Sequence, residues 1–159
     1  MKPMPEPTII KCKGGFMSDR WQVVQQGDKT LQDVLASAAL DERSFSTWIS
    51  EELTRRGLKK NLVVRRSRLN QTFAYQIMAG MRRPSRDKLV QLCFGMRLNE
   101  EEASELLERG GVAALRPYDR RDVIVAFCLN RGLEISACDD LLWSLGETTF
   151  TDMNRIRRS

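Results

Sequence analysis

The sequence predicts an all-α fold, and three observations carry that prediction. From residue 30 onward, N-cap residues and glycine stops alternate at helical intervals. The apolar residues between them recur at i, i+3 and i+4. No alternating strand pattern appears after residue 28. A hydrophobic share of 42% with 30% charged residues over 159 residues suffices for a packed core, which argues against wholesale disorder.

Residues 1–28 read as a loosely structured N-terminal arm. Pro3, Pro5 and Pro7 oppose regular structure, Thr8–Cys12 fits a short strand or none, and Gly14-Gly15 breaks whatever precedes it. Thr30 followed by Asp33 resembles a capping box, with Leu31, Val34, Leu35 and Ala38 on one face. Ser44 is placed to cap a second helix carrying Phe45, Trp48, Ile49 and Leu53, which Gly57 ends. A short helix over 60–67 follows, with Leu62, Val63 and Val64 apolar. Asn70 then caps a helix over 71–79 that Gly80 terminates. Pro84-Ser85 opens the next, turning Leu89, Val90, Leu92, Cys93 and Met96 inward. Asn99 with Glu102 starts another, ending at Gly110-Gly111, and Glu100, Glu101, Glu102, Glu105 and Glu108 form its solvated face. Asp119 and Ser136 are expected to cap two more, which stop near Gly132 and Gly146. Residues 148–159 read as a basic tail containing Arg155, Arg157 and Arg158.

An internal repeat runs through the second half. Residues 86–111 shifted by 35 fall on 121–146 without a gap, with identities at Arg86/Arg121, Asp87/Asp122, Val90/Val125, Cys93/Cys128, Leu98/Leu133, Leu106/Leu141, Leu107/Leu142 and Gly111/Gly146. This predicts a duplicated helical hairpin, 112–147, packed in one bundle with a domain over 29–111.

Several function classes are disfavoured by what is missing. The chain has no histidine, and its four cysteines (Cys12, Cys93, Cys128, Cys138) form no Cys-x-x-Cys pair. No Gly-rich phosphate loop, Ser-nucleophile elbow or HExxH-type motif is present. The expectation is therefore no enzyme, no metal and no cofactor, with Cys93, Cys128 and Cys138 as small buried hydrophobes in a reducing compartment. Uncharged apolar runs fall well short of the roughly 20 residues that span a bilayer, and no signal-peptide core follows Lys2. A soluble cytoplasmic protein without a membrane partner is expected.

The net charge of +5 conceals an asymmetry. Between Arg55 and Lys88 lie eleven basic residues and one acid, Asp87. Folding does not favour such a concentration, because like charges repel; a nucleic-acid backbone would explain it.

Within that window, Lys60 to Arg86 is laid out as a short helix, a tight link at Arg68-Leu69-Asn70, a second helix, and a Gly80-Met81-Arg82-Arg83-Pro84-Ser85 exit. The segment resembles the XRE-type (lambda repressor-like, Cro-like) helix-turn-helix family. Val64, Leu69, Ala74, Ile77, Gly80 and Arg82-Arg83-Pro84-Ser85 carry the resemblance, and the run from Leu89 to Glu102 looks like the helix pair that follows in that family. The likeness spans about residues 44–109. Arg68 stands where the family often has glycine, Val64 where a small residue is usual, and Lys59 and Lys60 where Ser or Gln commonly opens the first helix. Arg68 reaches a left-handed turn only at some cost, so a looser or differently shaped link is expected. The resemblance implies a lambda repressor-like helix-turn-helix bundle, here extended by a second C-terminal hairpin, and a sequence-specific DNA-binding regulator.

Helical geometry then assigns roles. In the helix over 71–79, Ala74, Ile77 and Met78 share the inward face, leaving Gln71, Thr72, Tyr75 and Gln76 outward to meet base edges in the major groove of double-stranded DNA. The two glutamines offer amides that pair bidentately with adenine. Lys59, Lys60, Arg68, Arg82, Arg83 and Arg86 flank this helix as phosphate contacts that set affinity and register without reading sequence. Phe73 sits at the edge of the inward face. A single short helix reads few base pairs, so a homodimer on a two-fold symmetric site is expected. The alternative is a helical adaptor or antitoxin-like module, in which helices 120–145 and Trp143 bind a protein and DNA binding is secondary or absent.

Overall fold

A computed structural model describes residues 21–38 and 40–151. The expectations for Thr8–Cys12 and for Arg155, Arg157 and Arg158 lie outside those residues. The described chain is helical and contains no strand. It divides into two units, Met1–Glu42 and Arg43–Ser159, each taken by itself below.

In the first unit, residues 21–25 are helical, inside the stretch expected to be loosely structured. Helix α1 (Leu31–Ser37) follows. Thr30 caps it as expected: its hydroxyl accepts from the Asp33 N–H at 3.3 Å, while the Asp33 carboxylate returns to the Thr30 N–H at 3.3 Å. None of the seven residues of α1 is buried. Its capping box therefore forms it without core support, and it groups with the N-terminal unit rather than with the helices after residue 43.

The second unit contains α2 (Phe45–Arg55), α3 (Lys60–Ser67), α4 (Gln71–Met78), α5 (Arg86–Met96), α6 (Glu100–Arg109), α7 (Arg120–Asn130) and α8 (Ile135–Ser144). Local chemistry starts most of them. Ser44, Asn70, Ser85, Asn99 and Asp119 each accept a backbone N–H three residues on, and Asn99 and Glu102 complete a second capping box. The last helix departs from expectation. It begins at Ile135 with Glu134 at the cap and no side-chain cap bond, so Ser136 lies within the first turn rather than capping it. The reason is packing: Ile135 is 2% exposed, and drawing it into the core requires the helix to start there.

One apolar core joins these helices, from Trp48, Ile49 and Leu53 of α2 through Leu89, Leu92 and Phe94 of α5 to Cys138 and Leu142 of α8. Each large side chain among them contributes about 1.5–3 kcal/mol by leaving water. Cys93, Cys128 and Cys138 are fully buried, as expected. Burial pushes the Cys93 thiol up, away from the reactive thiolate form. Helices α3 and α5 cross most intimately: a Cβ built on Gly95 would stand 2.4 Å from the Val63 carbonyl oxygen.

The repeat acquires a physical meaning here. α6 and α8 coincide under the 35-residue shift, Glu100–Arg109 onto Ile135–Ser144. The two Arg-Asp pairs then interlock across the hairpins. Arg86 binds Asp122 through two bonds of 2.9 and 2.8 Å, and Arg121 binds Asp87 through two of 2.8 and 3.1 Å. Their Nε groups donate to equivalent carbonyls, Arg86 to Ala113 at 2.9 Å and Arg121 to Thr148 at 2.8 Å. Reciprocal contacts of this kind, i with j′ and j with i′, are the signature of two-fold pairing, so the hairpins meet as a pseudo-dimer within one chain. Residues 148–151, expected to belong to the tail, are part of this structure. Buried Asp139 accepts the Phe150 and Thr151 N–H groups at 2.8 and 3.1 Å, and the Arg121 guanidinium lies 4.6 Å from the Phe150 ring centroid.

This clamp predicts an acid-sensitive fold. Burial would raise the Asp122 carboxyl, but bonds from the Arg86 guanidinium and the Arg116 N–H outweigh it and hold the group below its ordinary value. Glu102 is lowered in the same sense: burial opposes, and the Asn99 N–H and Arg56 prevail. A carboxylate depressed in the folded state contributes stability that is complete above its unfolded value, near pH 4, and is lost as pH falls through the lower folded value. Thermal unfolding between pH 6 and pH 2.5 should show a falling midpoint in that window, and Asp122→Asn should flatten the dependence.

Candidate nucleic-acid interface

The candidate interface is built from α3, the Arg68-Leu69-Asn70 link, α4 and the exit to α5. The link is tight rather than loose. Arg68 takes the left-handed conformation, φ 58° and ψ 20°, so the arginine accepts the turn geometry that the sequence expectation had it resist. Leu69 is buried beneath it, and Asn70 turns the chain into α4 by accepting the Phe73 N–H at 3.1 Å. The α3 end is braced from below. Ser67 donates to the Val64 carbonyl at 2.7 Å, and buried Gln91 of α5 donates to the Ser67 carbonyl at 3.2 Å.

Ala74, Ile77 and Met78 seat α4 in the core at no more than 1% exposure. That leaves Gln71 and Thr72 exposed and Tyr75 and Gln76 half-buried at the surface. A groove of about 480 Å³ between α3 and α4 brings Gln71 and Tyr75 together with Asn61, Arg65 and Arg68. Phe73 is half-buried, and the Arg82 guanidinium stands 5.8 Å over its ring, which holds that cation beside α4. Lys59 and Lys60 stand exposed at the start of α3, and Arg83 is exposed in the exit loop.

Arg86 is the exception among the proposed phosphate contacts. Besides Asp122 it holds the Ala113 and Ala114 carbonyls, both at 2.9 Å, so its fork is committed to the internal clamp. Charge alone put it in the phosphate set; the acid that satisfies it comes from 36 residues further along the chain. Arg55 and Arg56 are likewise engaged, with Glu52, and Arg56 also with Glu102. The other eight cations of the basic window, Lys59, Lys60, Arg65, Arg66, Arg68, Arg82, Arg83 and Lys88, make no ion pair among the described residues. Arg65 and Arg66 were not singled out from sequence, although both lie in that window. Arg97 was also passed over; its signal is that Gly132 occupies its place one repeat later.

Among the described residues no cluster of His, Cys, Asp or Glu could hold a metal ion, and no helix is long and apolar enough to cross a membrane. Comparison with protein-family models, curated proteins and solved structures gives no match.

Proposed function

We propose that the chain is a sequence-specific DNA-binding transcriptional regulator of the XRE helix-turn-helix type, with α4 as the recognition helix in the major groove. One observation supports this most: the outward residues of α4 are solvent-accessible beside eight cations, Lys59, Lys60, Arg65, Arg66, Arg68, Arg82, Arg83 and Lys88, that make no ion pair among the described residues. Gln71, Thr72, Tyr75 and Gln76 read bases; Lys59, Lys60, Arg68, Arg82 and Arg83 hold phosphates; Arg86 is structural. The reading assigns binding rather than catalysis to the chain, places it in the cytoplasm, and has it act as a homodimer on a symmetric site.

Duplexes selected from a random pool give the test. Gln71→Ala and Gln76→Ala should each lose about 1–3 kcal/mol on the selected site with little change on random DNA, while Arg83→Ala weakens all sequences alike. Five phosphate contacts give a log affinity against log salt slope of about −4.5, and Arg83→Ala makes it shallower by about one unit. Unchanged selectivity in both glutamine variants sinks the recognition-helix assignment.

A second reading, a helical adaptor or antitoxin-like module, is favoured by apolar exposure in the C-terminal half: Val123 and Phe127 on α7 are each 48% exposed, and Tyr118 85%. Co-purification of one defined partner after nuclease treatment, lost in Phe127→Glu but retained in Gln71→Ala, would favour it.

A further inference from the structure

Among the described residues, two that are not glycine hold a left-handed backbone: Arg68 at φ 58° and Arg97 at φ 55°. Both line one cleft of about 230 Å³. Arg65, Arg66 and Arg68 enter it from the end of α3 and Arg97 from the C-cap of α5, while residues 132–135 lead into α8 on the other side. None of the four arginines makes an ion pair among the described residues, and Arg66 is half-buried. The acid lining the cleft is Glu134, which makes no side-chain cap bond to α8.

Arg97 shows what the fold asks for at this place. Its counterpart one repeat later is Gly132, at φ 65° and lining the same cleft. A left-handed C-cap is the position that glycine fills without strain. The first hairpin instead carries a long cation there, close to three others. Backbone strain and mutual repulsion both work against the unliganded state, and a multiply charged anion relieves the second of them. Guanidinium forks match phosphate oxygens bidentately, and four of them suit consecutive phosphates better than a single one.

We propose that this cleft is a binding site for an oligophosphate, held by Arg65, Arg66, Arg68 and Arg97. Its phosphates come from one of two sources. Arg65 and Arg68 also line the groove beside Gln71 and Tyr75, so a DNA backbone lying against α4 reaches the cleft; a free oligophosphate enters it alone. The site goes beyond base reading by α4 and does not rest on it.

The test uses the full chain with sodium tripolyphosphate, inorganic phosphate and a random-sequence duplex, followed by calorimetry and thermal unfolding. Tripolyphosphate should bind at least tenfold more tightly than inorganic phosphate and raise the midpoint. Arg97→Gly, which installs the residue the second hairpin already carries, should keep or raise the unliganded midpoint yet lose tenfold or more in affinity. Arg66→Gln should lose affinity similarly. A loss that includes the duplex assigns the phosphates to a nucleic-acid backbone; a loss confined to tripolyphosphate assigns them to a free ligand. Arg97→Gly and Arg66→Gln that leave both tripolyphosphate and duplex binding unchanged overturn the proposal. Gln71→Ala and Gln76→Ala leave tripolyphosphate affinity intact, so failure of base reading and failure of this site give different results.

Discussion

Gly95→Ala should destabilise the second unit by about 3 kcal/mol and lower its unfolding midpoint by roughly 10 °C. Helix propensity alone predicts the opposite, because alanine in a helix interior is favoured over glycine by about 1 kcal/mol. Packing decides the sign. The new Cβ would lie 2.4 Å from the Val63 carbonyl oxygen, 3.1 Å from Ser67 Cβ and 3.2 Å from Val63 Cγ1. The nearest of these is backbone, which cannot swing aside as a side chain does, so α3 must retreat from α5. Gly110 provides the contrast: a Cβ there meets Leu89 Cδ1 at 2.6 Å, the end of a side chain that can turn. Gly110→Ala should therefore cost well under half as much. Because α3 carries Ser67 and the link to α4, Gly95→Ala should also weaken the duplex binding we propose in the fraction that remains folded. A midpoint that rises in Gly95→Ala, measured by calorimetry, would falsify the α3–α5 packing.

Asp122→Ala should cost about 3 kcal/mol. Asp122 is 4% exposed and accepts two bonds from Arg86 and one from the Arg116 N–H at 3.0 Å. Its removal strands a guanidinium whose side chain is only 25% exposed, and breaking a buried pair from one side typically loses about 3–5 kcal/mol. The low end applies because Ala113 and Ala114 still hold Arg86. The pseudo-symmetric change, Asp87→Ala, removes a carboxylate that is 40% exposed and should cost about 1 kcal/mol. A double-mutant cycle between Arg86 and Asp122 should return a coupling of at least about 1.5 kcal/mol. Arg86→Met should leave the salt dependence of the proposed duplex binding unaltered. Equal losses at Asp87 and Asp122 would show that burial does not grade the two pairs, and a shallower salt slope in Arg86→Met would return that residue to the phosphate set.

Much of the fold was legible locally. Thr30, Ser44, Asn70, Ser85, Asn99 and Asp119 could be read as caps because a cap bond closes within three residues, and the inward face of α4 because i, i+3 and i+4 share a side. Ser136 was misread by the same logic: a capping residue at the right spacing lost to the burial of Ile135, which no local pattern weighs. The candidate interface was legible in part. The outward set on α4 followed from the helical period, and the basic window from counting. Neither could separate Arg86 from Arg83, since the difference is made by Asp122, far along the chain.

The amino-acid order by itself determined that the described residues are helical, where most helices start, which residues repeat at a period of 35, and that positive charge gathers between residues 55 and 88. Those properties are set by contacts of at most a few residues, or by no contacts at all. Only tertiary structure decided which arginines are spent on internal carboxylates and which remain available, that the repeated Arg-Asp pairs clasp each other, and that Arg68 and Arg97 share a cleft with Gly132. Apart from the local pairing of Arg55 and Arg56 with Glu52, those depend on groups brought together from about 30 residues or more apart in the chain, where the three-dimensional path, and not the spacing, sets the distance.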